Sequence, residues 1–123
     1  MERQRRVRCD SDALYIISVA ARLVQLHPNT LRKYEREGFL QPSRTGGKLR
    51  LYSAEDIARL RQIKHLVEEQ EVNLAGVELA LGLTKRVRQL KALTRSRLSE
   101  CELREAVEAL ADDMLRLLGA SQE

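Results

Sequence analysis

The segment Ile17–Tyr52 decides the fold, and it reads ISVAARLVQLHPNTLRKYEREGFLQPSRTGGKLRLY. Pro28 suits the first position of a helix, and Gly38 suits a helix end, since glycine accepts the left-handed backbone that closes one. The segment therefore predicts two short helices joined by a tight turn and followed by a basic hairpin. The predicted helices are residues 19–25, with Ser18 as N-cap, and residues 28–37, with Leu26-His27 as the turn between them.

The second predicted helix carries polar and basic residues at positions i, i+3, i+4 and i+7, which share one helix face. Leu31 and Tyr34 lie off this face and can anchor the helix. Arginine and asparagine make bidentate contacts to purine edges, and lysine holds phosphates. A solvated face is the alternative, but Glu35 and Glu37 lie off the stripe and leave its charge uncompensated. The pattern favours a DNA-reading helix, with the face Asn29, Arg32, Lys33 and Arg36.

Two basic segments, Phe39–Arg44 and Lys48–Tyr52, flank Thr45-Gly46-Gly47 and predict a hairpin. Because side chains alternate along a strand, we expect Lys48, Arg50 and Tyr52 on one side, with Leu49 and Leu51 packed on the other. A nucleotide-phosphate loop would also be rich in glycine, but the GxxxxGK[ST] pattern is missing. We interpret the hairpin as a DNA-binding wing.

Charge is unevenly distributed along the 123 residues. Residues 1–52 hold 11 Lys/Arg against 5 Asp/Glu, whereas residues 53–123 hold 11 against 13. Positive charge at one end suits a polyanion partner, although an ordinary solvated basic surface has the same composition. No apolar run approaches a membrane span, and the N-terminus lacks a signal-peptide core. We expect a soluble, cytoplasmic protein.

The residues that most often carry chemistry are few and scattered. Cys9 and Cys101 have no metal-ligand spacing, so we expect neither a disulfide framework nor a metal site. Cys101 falls at an apolar helix position, which predicts a small core residue, and Cys9 is expected to be a free thiol. His27 and His65 have no nucleophile or paired carboxylate at a useful spacing. We therefore expect no enzyme and no cofactor.

Further helices are predicted after the hairpin. Ser53 and Asp56 form a capping-box pattern for a third helix that ends near Glu69. Asn73 caps a short fourth helix ending near Gly82, and Thr84 caps a last long helix to Leu118. The predicted domains are a disordered N-terminus (1–12), a winged helix-turn-helix (13–83), a coiled-coil dimerisation helix (84–118) and a tail (119–123).

Apolar residues spaced by three and four predict a heptad seam on that last helix. Its two stretches are out of register, so the coil is expected to be short or locally unwound. Ala111, Leu115 and Leu118 widen the stripe, either to pack on the protein's own third and fourth helices, which we favour, or to dock another protein. The predicted dimer residues are Val87, Leu90, Leu103, Val107, Leu110, Met114 and Leu117.

The run Thr30–Leu40, followed by Arg44, Arg50-Leu51-Tyr52 and Asp56-Ile57, resembles the MerR family of winged helix-turn-helix regulators. Segments at residues 15–21, 26–34 and 72–76 resemble its heat-shock repressor (HspR-like) branch. The resemblance implies a mainly α fold: a winged head with a small β-hairpin wing and a long C-terminal dimerisation helix.

The resemblance also implies roles for matching residues. The second helix enters the major groove, so Arg32 and Tyr34 inherit DNA contacts, while Arg50 and Tyr52 inherit backbone or minor-groove contacts. Lys33 replaces a family tyrosine, so its contact differs in kind. A second wing makes Arg61 and Lys64 weaker candidates. The full predicted DNA-binding set is Asn29, Thr30, Arg32, Lys33, Tyr34, Arg36, Arg44, Lys48, Arg50, Tyr52 and Lys64.

The predicted function is repression of heat-shock and chaperone genes by a homodimer bound to inverted-repeat operators in double-stranded DNA. The heat-shock branch further implies a DnaK-type chaperone as co-repressor. The alternative is a MerR-like interaction module that modulates a chaperone or co-chaperone without binding DNA. The basic stripe on the second helix argues against that alternative.

Overall fold

The computed structural model describes residues 14–44 and 49–120, and it divides into two compact units. The first unit, the head, ends at Glu71, and the second, the C-terminal unit, begins at Val72. The head contains β1 (Leu14–Ile16), α1 (Ile17–Val24), α2 (Pro28–Arg36), β2 (Ser43–Arg44), β3 (Arg50–Ser53) and α3 (Ala54–Lys64), which continues as a π-helical turn (His65–Glu69).

The strands form one antiparallel sheet in the order β1-β3-β2. Tyr15 pairs with Tyr52, and Arg44 pairs with Arg50. The predicted hairpin is confirmed as the β2–β3 pair, although both strands are shorter than predicted. Lys48 and the predicted turn Thr45-Gly46-Gly47 lie outside the described residues. Strand β1 was not predicted, because three residues are too few to show an alternating pattern.

The predicted orientation of β3 is wrong. Tyr52 is completely buried, whereas Leu49 is 50% exposed and Leu51 is half-buried. The period-2 alternation separates two faces of a strand but does not say which one meets the core. Here β3 is the central strand and packs on α1 and α3. The tyrosine, which has more apolar surface than the leucines beside it, faces that core.

Helix starts and ends follow local hydrogen bonding. The predicted Ser18 cap is wrong: α1 begins at Ile17 directly after β1, and Ile16 makes no side-chain cap. Pro28 does occupy the first turn of α2, and His27 is its N-cap, with Nδ1 accepting the Asn29 amide proton at 3.0 Å. Gly38, at φ 85°, follows the end of α2 as predicted.

One apolar core holds the head together. Helix α3 contributes Ile57, Leu60 and Ile63, which are at most 5% exposed. The predicted capping box is confirmed: Ser53 Oγ accepts from the Asp56 amide at 3.0 Å, and Asp56 Oδ2 accepts from the Ser53 amide at 2.9 Å. The helices contribute the other buried residues Ala20, Ala21, Val24, Leu31 and Tyr34, and the segment after α2 contributes Phe39 and Leu40.

The C-terminal unit is a pair of packed helices, α4 (Leu74–Leu93) and α5 (Glu100–Leu117). The prediction of a break near Gly82 and a single last helix from Thr84 to Leu118 is therefore wrong, and the predicted domain boundary at 83–84 falls inside α4. Thr84 does not cap a helix, because its hydroxyl donates to the Ala80 carbonyl at 2.8 Å. The chain leaves the helix after Leu93 instead, and a Ser99–Glu102 capping box starts α5.

Packing between α4 and α5 uses part of the predicted dimer seam. A Cβ placed on Gly82 would lie 3.4 Å from Leu117 Cδ1, so the small residue admits the leucine. Leu110 is 8% exposed, while Leu103, Met114 and Leu117 are half-buried. Cys101 is exposed, so its predicted core position is wrong. Cys101 lies in the first turn of α5, ahead of the residues that pack on α4.

Other apolar residues of the C-terminal unit face solvent. Leu115 and Leu118 are 37% and 54% exposed, and Ala111 is exposed too, so the favoured packing of these three on the protein's own helices is wrong. Val87 and Leu90 on α4 and Val107 on α5 are 47%, 37% and 39% exposed. Within the described part of the chain, no helix is both long and apolar enough to span a membrane.

Candidate nucleic-acid interface

Helix α2 presents the predicted polar face to solvent. Asn29, Lys33 and Arg36 are exposed and Arg32 is half-buried. Arg32 Nη1 donates to Asn29 Oδ1 at 2.7 Å, so the amide fixes one side of the guanidinium. Its other N–H groups form the planar fork that matches two acceptors on a guanine edge. Thr30 is half-buried on the same helix. The predicted set therefore lies together on one helix face, as its spacing predicts: Asn29, Arg32, Lys33 and Arg36.

The opposite face of α2 fixes the helix in the head. Leu31 is fully buried, and the Tyr34 and Phe39 rings pack with their centroids 6.0 Å apart. The His27 cap satisfies an amide at the first turn, where a helix has unpaired N–H groups. A rigid helix of this kind can present its polar side chains without first paying to order its backbone.

One carboxylate joins α2 to the sheet. Glu35 Oε2 accepts from Arg44 Nη2 at 2.6 Å, and Glu35 Oε1 accepts from Arg50 Nε at 2.6 Å. Arg44 and Arg50 are directly opposite each other on β2 and β3, where two like charges would repel. Glu35 thus offsets the repulsion of the arginine pair. Sequence reasoning treated Glu35 only as a residue off the basic stripe; its signal is an acid facing a hairpin with two arginines.

The same arrangement sets the ionisation of Glu35. Burial alone would raise its pKa, but the hydrogen bonds from Arg50 and Arg44 and their positive charges outweigh burial and hold the pKa below the ordinary 4.5. Glu35 is therefore ionised at neutral pH, and it neutralises part of the positive charge that the wing would otherwise present.

Both tyrosines in the predicted DNA-binding set lie in the core. Tyr34 is 5% exposed and Tyr52 is 0% exposed, and burial raises the pKa of each phenol. The Tyr52 phenol is also influenced by the charges of Glu35, Arg50, Arg32 and Arg44. Its hydroxyl has no hydrogen-bond partner among the described residues. In this conformation the two tyrosine side chains pack in the core and are not part of the exposed polar face of α2.

Lys64 and Arg61 cap the end of α1. Lys64 Nζ donates to the Val24 carbonyl at 3.1 Å and lies 3.5 Å from the Gln25 carbonyl, and Arg61 Nη2 donates to the Leu23 carbonyl at 3.3 Å. The last carbonyls of a helix lack partners within it and carry partial negative charge. These contacts give both residues a structural role that sequence reasoning missed.

The remaining candidates are quickly placed. Lys48 lies outside the described residues, and Arg44 and Arg50 are held by Glu35 as above. Within residues 14–44 and 49–120, no group of three His, Cys, Asp or Glu side chains is positioned to hold a metal ion.

A helix pair with an exposed polar second helix, followed by a small sheet, is the arrangement of a winged helix-turn-helix. The family model described as "MerR HTH family regulatory protein" matches residues 15–82, more than half of the chain. The chain belongs to the MerR family. It is thus a MerR-family transcriptional regulator, which confirms the predicted resemblance.

Curated relatives support the same family. The chain is 48% identical over 79 residues to the heat shock protein HspR of Streptomyces coelicolor, a match of 64% of this chain and 52% of that protein. It is 37% identical over 71 residues to the regulator GlnR of Bacillus anthracis, a match of 58% and 54%. The predicted resemblance to the HspR-like branch is confirmed. The chain spans about half the length of these relatives.

A longer match and a solved structure extend the comparison. The transcriptional repressor CarH of Myxococcus xanthus is 31% identical over 106 residues, which is 85% of this chain and 34% of CarH. The crystal structure of HiNmlR, a MerR family regulator that lacks the sensor domain and is bound to promoter DNA, superposes with a TM-score of 0.55. That match covers 87% of this chain and 80% of the other at 19% identity, and it shows a shared fold.

Proposed function

We propose that this MerR-family regulator represses heat-shock and chaperone genes by binding inverted-repeat operators as a homodimer. The observation that carries the proposal is the hydrogen bond from half-buried Arg32 to exposed Asn29, on a helix whose other face packs in the core. A pre-oriented guanidinium reads base edges, and the neighbouring Lys33 and Arg36 hold phosphates. The identity to HspR supports the choice of heat-shock genes.

The test is a gel-shift survey of duplexes taken upstream of chaperone genes and of the protein's own gene. We expect one or more of them to bind about a thousandfold tighter or more than a scrambled duplex of equal length, as specific regulators commonly do. Equal affinity for every duplex, at each salt concentration tried, would contradict sequence-specific repression.

Dimerisation is proposed through the exposed apolar side chains of the C-terminal unit. Val87 and Leu90 are one helical turn apart on α4 and are 47% and 37% exposed, so they can contact a second copy of the chain. Leu110, in contrast, is 8% exposed and packs within its own chain. Replacing Val87 and Leu90 with glutamate should give a folded monomer in analytical ultracentrifugation, and an intact dimer would reject this surface.

A DnaK-type chaperone is proposed as co-repressor, with Ala111 and Leu115 of α5 and Leu118 at its C-cap as the contact. Unfolded proteins that occupy the chaperone would then relieve repression by mass action. Purified chaperone should strengthen the operator complex, and excess unfolded client should reverse the effect. Leu115→Glu should remove the response without changing operator affinity in the absence of chaperone. Operator affinity that is indifferent to chaperone would remove this part of the proposal.

A further inference from the structure

The Glu35 carboxylate occupies the positions on Arg44 and Arg50 that a DNA phosphate would otherwise take. It bonds Nη2 of one arginine and Nε of the other, each at 2.6 Å. A phosphate offers the same oxygen geometry to guanidinium groups as a carboxylate does. Any phosphate contact at these atoms must therefore displace Glu35 or share its donors.

The exposure of the three groups makes such competition physically accessible. The Arg44 side chain is 40% exposed, that of Arg50 is 26% exposed, and that of Glu35 is 19% exposed. The carboxylate is thus less exposed than the two arginines, which can still be reached from solvent. Two ionised arginines opposite each other on paired strands attract any polyanion strongly unless an acid compensates their charge.

The connection to α2 gives the carboxylate a second effect. Glu35 is three residues from Arg32 in the same helix, and Arg32 is held by Asn29 at 2.7 Å. By pairing with β2 and β3, Glu35 fixes the sheet against the helix that carries this arginine. The wing arginines are therefore paired with Glu35, while the guanidinium of Arg32 remains available to DNA bases.

We propose that Glu35 is a specificity-determining positioning residue: it restrains Arg44 and Arg50 and thereby suppresses sequence-independent binding to DNA phosphates. The inference rests on the proposed DNA-binding function. Removing the carboxylate breaks its bonds to both arginines and lowers its competition with phosphates, which strengthens binding to DNA of any sequence and raises its salt dependence. A merely structural residue would have the opposite effect, because loosening the head weakens all binding.

The experiment is a fluorescence-anisotropy titration of the full chain with a random-sequence duplex at several salt concentrations. For Glu35→Gln we expect a severalfold lower Kd than for the wild type, and a slope of log K against log salt steeper by about 1 to 2, since each added phosphate contact contributes about 0.9. Glu35→Asp keeps the charge and should restore behaviour close to the wild type. Thermal unfolding confirms that each variant is folded at the titration temperature.

Two controls isolate the cluster from net charge. Glu37→Gln removes the same charge from an exposed residue two positions along, and it should change the slope by much less than Glu35→Gln does. Adding Arg44→Gln and Arg50→Gln to Glu35→Gln should abolish the gain. A gain equal to that of Glu37→Gln, a gain that survives loss of both arginines, or weaker binding by folded Glu35→Gln would each overturn the inference.

These outcomes are separate from the test of the proposed function. A wild type that binds a chaperone-gene duplex specifically while Glu35→Gln shows no gain retains the function and rejects the role of Glu35. A wild type without any salt-dependent DNA binding rejects both.

Discussion

At the scale of single residues, the polar face of α2 separates two kinds of contact. Arg32 is oriented by its hydrogen bond to Asn29, whereas the Lys33 side chain is exposed. Arg32→Ala should cost about 1–3 kcal/mol on the specific duplex and much less on a random one, because it removes base readout. Lys33→Ala should weaken binding to both duplexes equally and reduce the slope of log K against log salt by about 1. Competition titrations measure both, and equal losses for Arg32→Ala on the two duplexes would reject its base-reading role.

Glu35 also makes stability depend on pH. Because its folded pKa lies below 4.5, the ion pairs contribute stability that is complete well above pH 4.5 and is lost as the pH falls through the folded pKa. The difference in unfolding free energy between wild type and Glu35→Gln should be about 1–2 kcal/mol near pH 7, allowing for solvent screening of Arg44.

Urea unfolding of the two proteins at a series of pH values measures that difference. It should stay constant from about pH 7 to about pH 6 and shrink steadily at acidic pH, as the folded carboxylate takes up a proton. The comparison cancels the other titrating groups that the two proteins share. A difference that is independent of pH down to about pH 3 would show that the ion pairs do not stabilise the head.

Gln25 closes α1 with a left-handed backbone, φ 59°, which costs energy in any residue with a Cβ. Gln25→Gly should relieve this cost and stabilise the head by about 0.5–1 kcal/mol. Gly38→Ala, at φ 85°, is the reverse change and should destabilise it by about 1 kcal/mol. Chemical denaturation gives both values, and a destabilising Gln25→Gly would show that the side chain makes a contribution larger than the strain.

At the scale of elements, sequence patterns predicted local features well and pairings between elements poorly. Pro28, Gly38 and the Ser53–Asp56 box act through their own backbone neighbours, so their effect can be read from the chain. The burial of Tyr52 depends on which face of β3 meets α1 and α3, and no local pattern records that. Strand β1 is held by its pairing with β3, which is distant in sequence.

The candidate site shows the same division. The face Asn29, Arg32, Lys33 and Arg36 was predicted because helical spacing alone brings it together. The Glu35 cluster joins a helix to two strands distant in sequence, so it was visible only once the sheet was placed beside α2. Lys64 looked available for DNA for the same reason, since its carbonyl partners lie on α1.

The helix pair of the C-terminal unit makes its own prediction. Leu110 is 8% exposed where α5 packs on α4, whereas Val107, one turn earlier, is 39% exposed. Leu110→Ala should lower the unfolding free energy by about 2–4 kcal/mol, and Val107→Ala by well under half of that. Thermal unfolding followed by circular dichroism compares them. Equal, small losses would favour one extended helix in which neither residue is buried within its own chain.

At the scale of the whole molecule, the proposed function requires two heads and therefore two half-sites. In this proposal the head reads DNA with α2, and the exposed apolar side chains of α4 contact a second copy. In a single head the predicted polar face of α2 has four residues, which is a small number of contacts for tight binding. Joining two heads makes the second contact intramolecular and raises the overall affinity.

The most direct test is the stoichiometry and symmetry of the specific complex. A duplex selected in the gel-shift survey is titrated with wild-type chain in the ultracentrifuge, beside the same duplex with one half-site scrambled. The account predicts two chains per intact duplex and, with one half-site scrambled, an affinity at least tenfold lower, which corresponds to about 1.4 kcal/mol or more. One chain per duplex, or equal affinity for the intact and half-scrambled duplexes, would contradict it.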